Sequence, residues 1–303
     1  MNAQANDTDA TASEPTASES IRVRLLIHYD GRPFHGWQFQ PGLPTVQGEL
    51  ERVLEQISGA HRTLIGSGRT DSGVHATGQV ATVTLPSRWQ PERLQRALNA
   101  LLPDTIWIER ATLVDFAFHP RFDARRRTYD YRIGTCARAR SPFVRWRCWA
   151  LGEPLDLTVL NAVASGLIGR HSFRAFAKAG QPERGEHCTI ESAEWRHWHD
   201  DEGEMGVRFT ISADRYLHHM VRYLVGTQVA IARGMRPQTD LETLLANPDA
   251  PLTTSPPAPP EGLYLAHVEY AEPSSASGGS TTHRGLDDAS TPQRPSTTEM
   301  KQP

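Results

Sequence analysis

The residues best suited to chemistry lie in one short stretch, Gly66-Ser-Gly-Arg-Thr-Asp-Ser-Gly-Val-His75. Asp71 stands there with Arg69 two residues before it and Gly66, Gly68 and Gly73 around it. Glycines let the backbone reach φ > 0 and let another molecule approach closely. A lone carboxylate in such a turn, without a second acid, a triad or a metal set at recognisable spacing, points to nucleophilic attack by the carboxylate itself. The competing role is structural, because Asp beside Gly often caps the amides of its own turn. Two phosphate-binding readings fail. A Walker-type loop needs GxxxxGK[ST], and the only lysines are Lys178 and Lys301. A dinucleotide fingerprint needs a helix after the loop, whereas Val80 to Leu85 alternates as a strand.

A nucleophilic carboxylate must stay ionised, and a neighbouring guanidinium favours that form. Arg69 and Arg222 are the candidate partners of Asp71. Arg121-Phe-Asp-Ala-Arg-Arg-Arg-Thr-Tyr-Asp-Tyr131 interleaves arginines with aromatic rings. Such a pattern suits a phosphate backbone and stacked, unpaired bases, so Arg125, Arg126 and Arg127 are candidate RNA contacts. Tyr129 and Tyr131 share one strand face, which leaves one for the core and one for stacking. His218 and His219 are adjacent, and on a helix they would diverge by about 100°, a poor arrangement for sharing a metal. Asp71 and His75 find no further ligand at a recognised spacing. The expectation is therefore a metal-free site, with the histidines, His75 among them, serving packing or RNA contacts.

Positioning these residues falls to a core flanked by two dissimilar tails. Residues 1–20 are rich in Ala, Thr, Ser and Glu without a large apolar side chain, and 271–303 are rich in Ser, Thr, Gly and Pro. Neither can bury enough surface to offset its ordering entropy, so both are expected to be disordered. The tails hold most of the acid. The overall charge of −3 leaves residues 21–270 at +2 once the −4 of the first segment and the −1 of the last are removed. No apolar run approaches the ~20 residues that span a bilayer. No signal-peptide pattern opens the chain, so a cytoplasmic location is expected. Cys136, Cys148 and Cys188 are odd in number and lack a CxxC pair, so they read as reduced bystanders.

Within the core, Val23, Leu25, Ile27 and Tyr29 alternate as a half-buried strand. Thr45 caps a helix carrying Val46, Leu50, Val53, Leu54 and Ile57 at helical spacing. Pro91 opens a second helix, and 106–108 and 113–116 read as strands. In the second half, Thr128 to Ile133 is a strand, Leu155 to Ile168 a helix, and Ile190–Trp198 with Val207–Ala213 a hairpin. Tyr216 to Ala232 is a long helix, and Leu263 to Tyr270 closes the core as a strand. The pattern predicts an α+β fold of two subdomains, 21–115 and 116–270, with mainly antiparallel sheets and a site at the central cleft.

Further ordered motifs give these residues a context. Tyr29-Asp-Gly-Arg-Pro-Phe-His-Gly-Trp-Gln38, Thr45-Val-Gln47, Gly68-Arg-Thr-Asp-Ser-Gly-Val-His75, Phe118-His-Pro-Arg-Phe122, Arg127-Thr-Tyr-Asp-Tyr131, His218-His-Met-Val-Arg222 and Gly262-Leu-Tyr-Leu265 occur in sequence. From about residue 21 to 270 the chain resembles the tRNA pseudouridine synthase A family, whose members isomerise uridines at tRNA positions 38, 39 and 40. The resemblance implies two RRM-like halves, no cofactor or metal, and a homodimer clamping the anticodon stem-loop of one tRNA. It also implies that Asp71 is the nucleophile, that Arg69 fills the space left by the flipped base, that Tyr129 stacks on the target uracil, and that Arg222 pairs with Asp71. Two positions depart from the family pattern: Ser72 replaces an alanine, and Ser172 replaces a common aspartate. The alternative to catalysis is a non-catalytic RNA-binding or tRNA-folding module, which would not need Asp71.

Overall fold

The computed structural model describes residues 20–178 and 185–271. The expected tails therefore lie almost wholly outside the described residues. The strands are β1 (Ser20–Tyr29), β2 (Ile65–Gly66), β3 (His75–Pro86), β4 (Ile106–Val114), β5 (Ala124–Gly134), β6 (Trp149–Ala150), β7 (Gly169–Ser172), β8 (His187–Asp200), β9 (Gly203–Ala213) and β10 (Leu263–Tyr270). The helices are α1 (Val46–Ser58), α2 (Pro91–Leu101), α3 (Leu157–Ser165), α4 (Met220–Ala232) and α5 (Thr239–Ala246).

One sheet runs in the order β4-β1-β3-β10-β5-β9-β8-β7, with β2 added to β3 and β6 to β5. Its long ladders are antiparallel; β3–β10 and β5–β6 are parallel. The fold is α+β. The last strand enters the middle of the sheet, pairing Tyr264 with His75 on one side and Leu265 with Tyr129 on the other. That insertion brings the Asp71 loop next to β5, although the two lie far apart along the chain.

The helices form where the apolar spacing says they should. Thr45 accepts from the Gly48 N–H at the start of α1, whose Val46, Leu50, Val53 and Leu54 are buried in the same core as Val23, Leu25 and Ile27. Burial of such side chains stabilises by about 1.5–3 kcal/mol each. In the other half Asp156 caps α3, and the Trp195 indole N–H donates to Gln228 Oε1 of α4 at 2.9 Å. The two strands expected at 106–108 and 113–116 are one continuous β4 pairing with β1 through a bulge at Leu26/Ile27. Helix α5 and the short β2, β6 and β7 carry too little periodicity to read from sequence. The helix expected from Tyr216 begins only at Met220, and the cause lies in the site.

Candidate active site

Asp71 is held by a loop with many anchors. Trp37 N–H donates to the Thr70 carbonyl at 3.1 Å, and the Tyr29 hydroxyl stands 2.7 Å from Thr70 Oγ1. Val74 N–H closes the turn on the Asp71 carbonyl at 3.1 Å. Upstream, Gln79 Nε2 donates to Gly68 O at 2.9 Å, and Ser67 Oγ donates to Gln79 Oε1 at 2.7 Å. The three glycines serve different ends. Gly73 takes φ 79°, the left-handed turn conformation. Gly66 needs its missing Cβ because one would sit 2.6 Å from the Trp37 indole nitrogen, while at Gly68 a Cβ would meet open space.

The carboxylate of Asp71 is 19% exposed and faces three cationic or potentially cationic groups. Arg222 Nη1 is 3.5 Å from Oδ2, His219 Nε2 is 3.3 Å from Oδ2, and His218 Nε2 is 3.4 Å from Oδ1. Arg222 itself is 13% exposed and donates through Nε to the Ala258 carbonyl at 2.8 Å. The arginine partner expected at position 222 is therefore present.

The histidine pair corrects the expectation of divergence. His219 adopts φ 64°, the one non-glycine residue with positive φ among those described, and it is the residue before the first turn of α4. A left-handed residue cannot continue a helix, so α4 starts at Met220. With both histidines outside the helix, the 100° rule does not apply. Their rings lie 4.2 Å apart and both aim at Asp71. Burial lowers the His219 pKa below its ordinary 6.5, helped by His218 and Arg222 and opposed by Asp71.

Tyr129 is 9% exposed and meets Tyr216 edge-to-face at 5.0 Å. Burial pushes its hydroxyl up to about 12, with the Asp71 charge adding and Arg127 opposing. Its strand neighbour Tyr131 is fully buried, with its hydroxyl donating to Pro259 O at 2.6 Å. Tyr131 is thus the core member of the pair.

The remaining candidates separate. Arg69 does not reach Asp71: its exposed side chain donates to Gln38 Oε1 at 3.2 Å. Arg125 is exposed. Arg126 pairs with Glu191 and, at 3.3 Å, with Glu269. Arg127 donates to the carbonyls of Ser67, Arg121 and Asp214 at 3.0, 2.7 and 3.1 Å, tying the Asp71 loop to β5. Its guanidinium is used inside the fold. His75, expected among the RNA contacts, is 3% exposed. Its Nδ1 accepts from Gly31 N–H, its Nε2 donates to Trp146 O, and its ring stacks on Tyr264 at 4.7 Å. Ser72 donates to Phe34 O at 3.4 Å, and Ser172 to Glu186 Oε1 at 2.8 Å.

The site is thus a partly exposed carboxylate among guanidinium, imidazole and tyrosine, at the middle of a mainly antiparallel sheet. Comparison with known proteins is consistent with this arrangement. The sequence profile described as tRNA pseudouridine synthase matches residues 25–123 and 163–271. A tRNA pseudouridine synthase A from Afipia carboxidovorans is 38% identical over 250 residues, covering 82% of this chain and 99% of that one. The protein of that name from Bradyrhizobium sp. is 40% identical over 252 residues, with coverage of 82% and 99%. The one from Maridesulfovibrio salexigens is 40% identical over 257 residues, with coverage of 83% and 91%. The chain belongs to the tRNA pseudouridine synthase family. Among the described residues, no helix is long and apolar enough to cross a membrane.

Proposed function

We propose that this chain is an isomerase that converts uridine to pseudouridine at positions 38, 39 and 40 of the tRNA anticodon stem-loop, with Asp71 as nucleophile. The observation that carries the reading is the Asp71 carboxylate, partly exposed at the end of its loop and faced by Arg222. Family membership supplies the substrate.

The reaction requires the target base to leave the stack. Arg69, exposed and held only through Gln38, releases that contact and enters the vacated space, where its fork also meets phosphate. Asp71 either attacks ribose C1′ or draws off the C2′ proton to give a glycal. On both routes the N1–C1′ bond breaks and its electron pair goes to the uracil. The detached uracil turns against the ring of Tyr129. C5 then bonds to C1′ as the ester bond to Asp71 breaks or, from the glycal, as Asp71 returns the proton to C2′; the C5 proton leaves and N1 gains a proton, so Asp71 is regenerated and no second substrate is consumed. Arg222, 3.5 Å from Oδ2, holds the carboxylate in place. Arg125 is left to contact the RNA backbone.

In this reading residues 21–115 contribute Asp71 and residues 116–270 contribute Tyr129 and Arg222. The same reading includes a homodimer acting in the cytoplasm, as the resemblance implies, with light scattering as the check on the dimer. The test of the chemistry is tritium release from tRNA labelled at uridine C5, comparing wild type with Asp71→Asn. Release by wild type, lost in the variant while tRNA binding persists, supports the proposal. Equal release from both proteins moves the chemistry off Asp71, and binding without release by wild type favours a non-catalytic RNA-binding module.

A further inference from the structure

Three potential metal ligands converge at the mouth of the site. Asp71, His218 and His219 offer ligand atoms that all lie within 4.8 Å of one another. The two histidine nitrogens stand 3.4 and 3.3 Å from the carboxylate oxygens. Charge-assisted hydrogen bonds run at about 2.7–2.9 Å, so both contacts are long for that role. Each imidazole faces its own carboxylate oxygen, and one ligand atom from each of the three residues lies within reach of a shared ion. A tetrahedral zinc with bonds of about 2.0–2.1 Å holds neighbouring ligand atoms about 3.3–3.4 Å apart.

We propose that Asp71, His218 and His219 form a capture site for a borderline divalent cation, zinc above all, and that its occupancy switches the enzyme off. Two imidazoles and one carboxylate suit zinc, whereas magnesium and calcium prefer oxygen ligands throughout. The His218 side chain is 57% exposed and has room to move toward a shared ion. His219 is delivered by its left-handed backbone. Arg222, 3.5 Å from Oδ2, steadies the carboxylate that lies between the two imidazoles. An ion held there occupies the Asp71 carboxylate itself. Binding is a ligand exchange with water and involves no redox step. The site rests on geometry alone; its inhibitory effect rests on the reading of Asp71 as nucleophile.

Cobalt and zinc titrations of the full chain test the site, with tritium release read in parallel. One cobalt ion per chain is expected, with visible absorption of a tetrahedral ion. Zinc should displace it, and millimolar magnesium should not. His218→Gln and His219→Asn should each weaken binding at least about tenfold, since even loss of an outer-shell partner costs that much. Asparagine tolerates the left-handed backbone at 219, and a melting curve of each variant confirms the fold. Zinc should abolish tritium release and a chelator should restore it. No saturable binding, unchanged binding in both variants, or a cobalt–thiolate absorption placing the ion on Cys136 and Cys148 would overturn the site. Full activity of the zinc-loaded protein would overturn the switch. Should the metal-free wild type release no tritium, the functional reading fails, while the cobalt titration still decides the site.

Discussion

Arg222 and Ala258 hold each other at both ends. The Arg222 guanidinium donates to the Ala258 carbonyl at 2.8 Å, and the Ala258 N–H donates back to the Arg222 carbonyl at 2.9 Å. This clasp leaves Nη1 pointing at Asp71 Oδ2. The arginine is therefore oriented before any substrate arrives, which is where electrostatic catalysis draws its strength.

That clasp separates charge from geometry. Lysine at 222 keeps the charge but cannot serve Ala258 and Asp71 with one planar fork. Arg222→Lys should slow turnover by about 10²-fold, comparable to losing one positioned donor, with tRNA affinity retained. Single-turnover kinetics beside a filter-binding assay check this. Near-wild-type turnover would show that charge alone suffices.

Tyr129 should act through its ring. Tyr129→Phe preserves stacking and should bind substrate within severalfold of wild type. Tyr129→Leu should lose about 1–3 kcal/mol in kcat/KM, the worth of stacking a base on an aromatic ring. With the hydroxyl pushed up to about 12, the residue stays protonated through the working range. The pH–rate profile of wild type should therefore show no tyrosine limb below pH ~10. A limb there that vanishes in Tyr129→Phe would contradict the burial argument.

The loop depends on a glycine well outside its own motif. Gly36 has φ 90°, and a Cβ there would stand 2.6 Å from the Thr70 carbonyl, next to Asp71. Gly42 has φ 74° with nothing within 4 Å of such a Cβ. Gly42→Ala should cost only backbone strain, about 1–3 kcal/mol at most. Gly36→Ala adds a backbone clash and should destabilise more and lower activity as well. Denaturant midpoints and turnover of the two variants, side by side, check the difference; equal effects would remove the clash from the explanation.

His219 gives a pH-dependent contribution to stability with a definite sign. Its folded pKa is lowered from 6.5, chiefly by burial, so the unfolded chain binds the proton more readily. The contribution is complete above the unfolded value and is lost as pH falls below about 6.5. Wild type should lose more stability than His219→Asn between pH 7 and pH 5. Parallel curves for the two proteins in urea titrations would refute the assignment.

Much of this arrangement was legible in the residue pattern. The alternation in Val23–Tyr29, the Thr45 cap and the apolar face of Val46–Leu54 are local features, governed by rotamer preference, capping and burial within a few residues. The Asp71 loop was equally legible, because its glycines and its lone acid sit within one run of eight residues, 66–73. Periodicity also ran the helix back to Tyr216, since nothing in residue type announces a left-handed histidine.

The amino-acid sequence by itself determined most strands and main helices, the candidate carboxylate and the nominees for its partners. Only the tertiary structure decided which nominee reaches it. Arg69 lies two residues from Asp71 and points away to Gln38, whereas Arg222, 151 residues distant, meets the carboxylate. The same packing turned Arg127 and His75 inward, to backbone carbonyls and to a stacked tyrosine. The physical reason is that residue type records what a side chain can do. Its partner is set by the sheet order that places β10 between β3 and β5, and by a single strained residue that turns two histidines toward one acid.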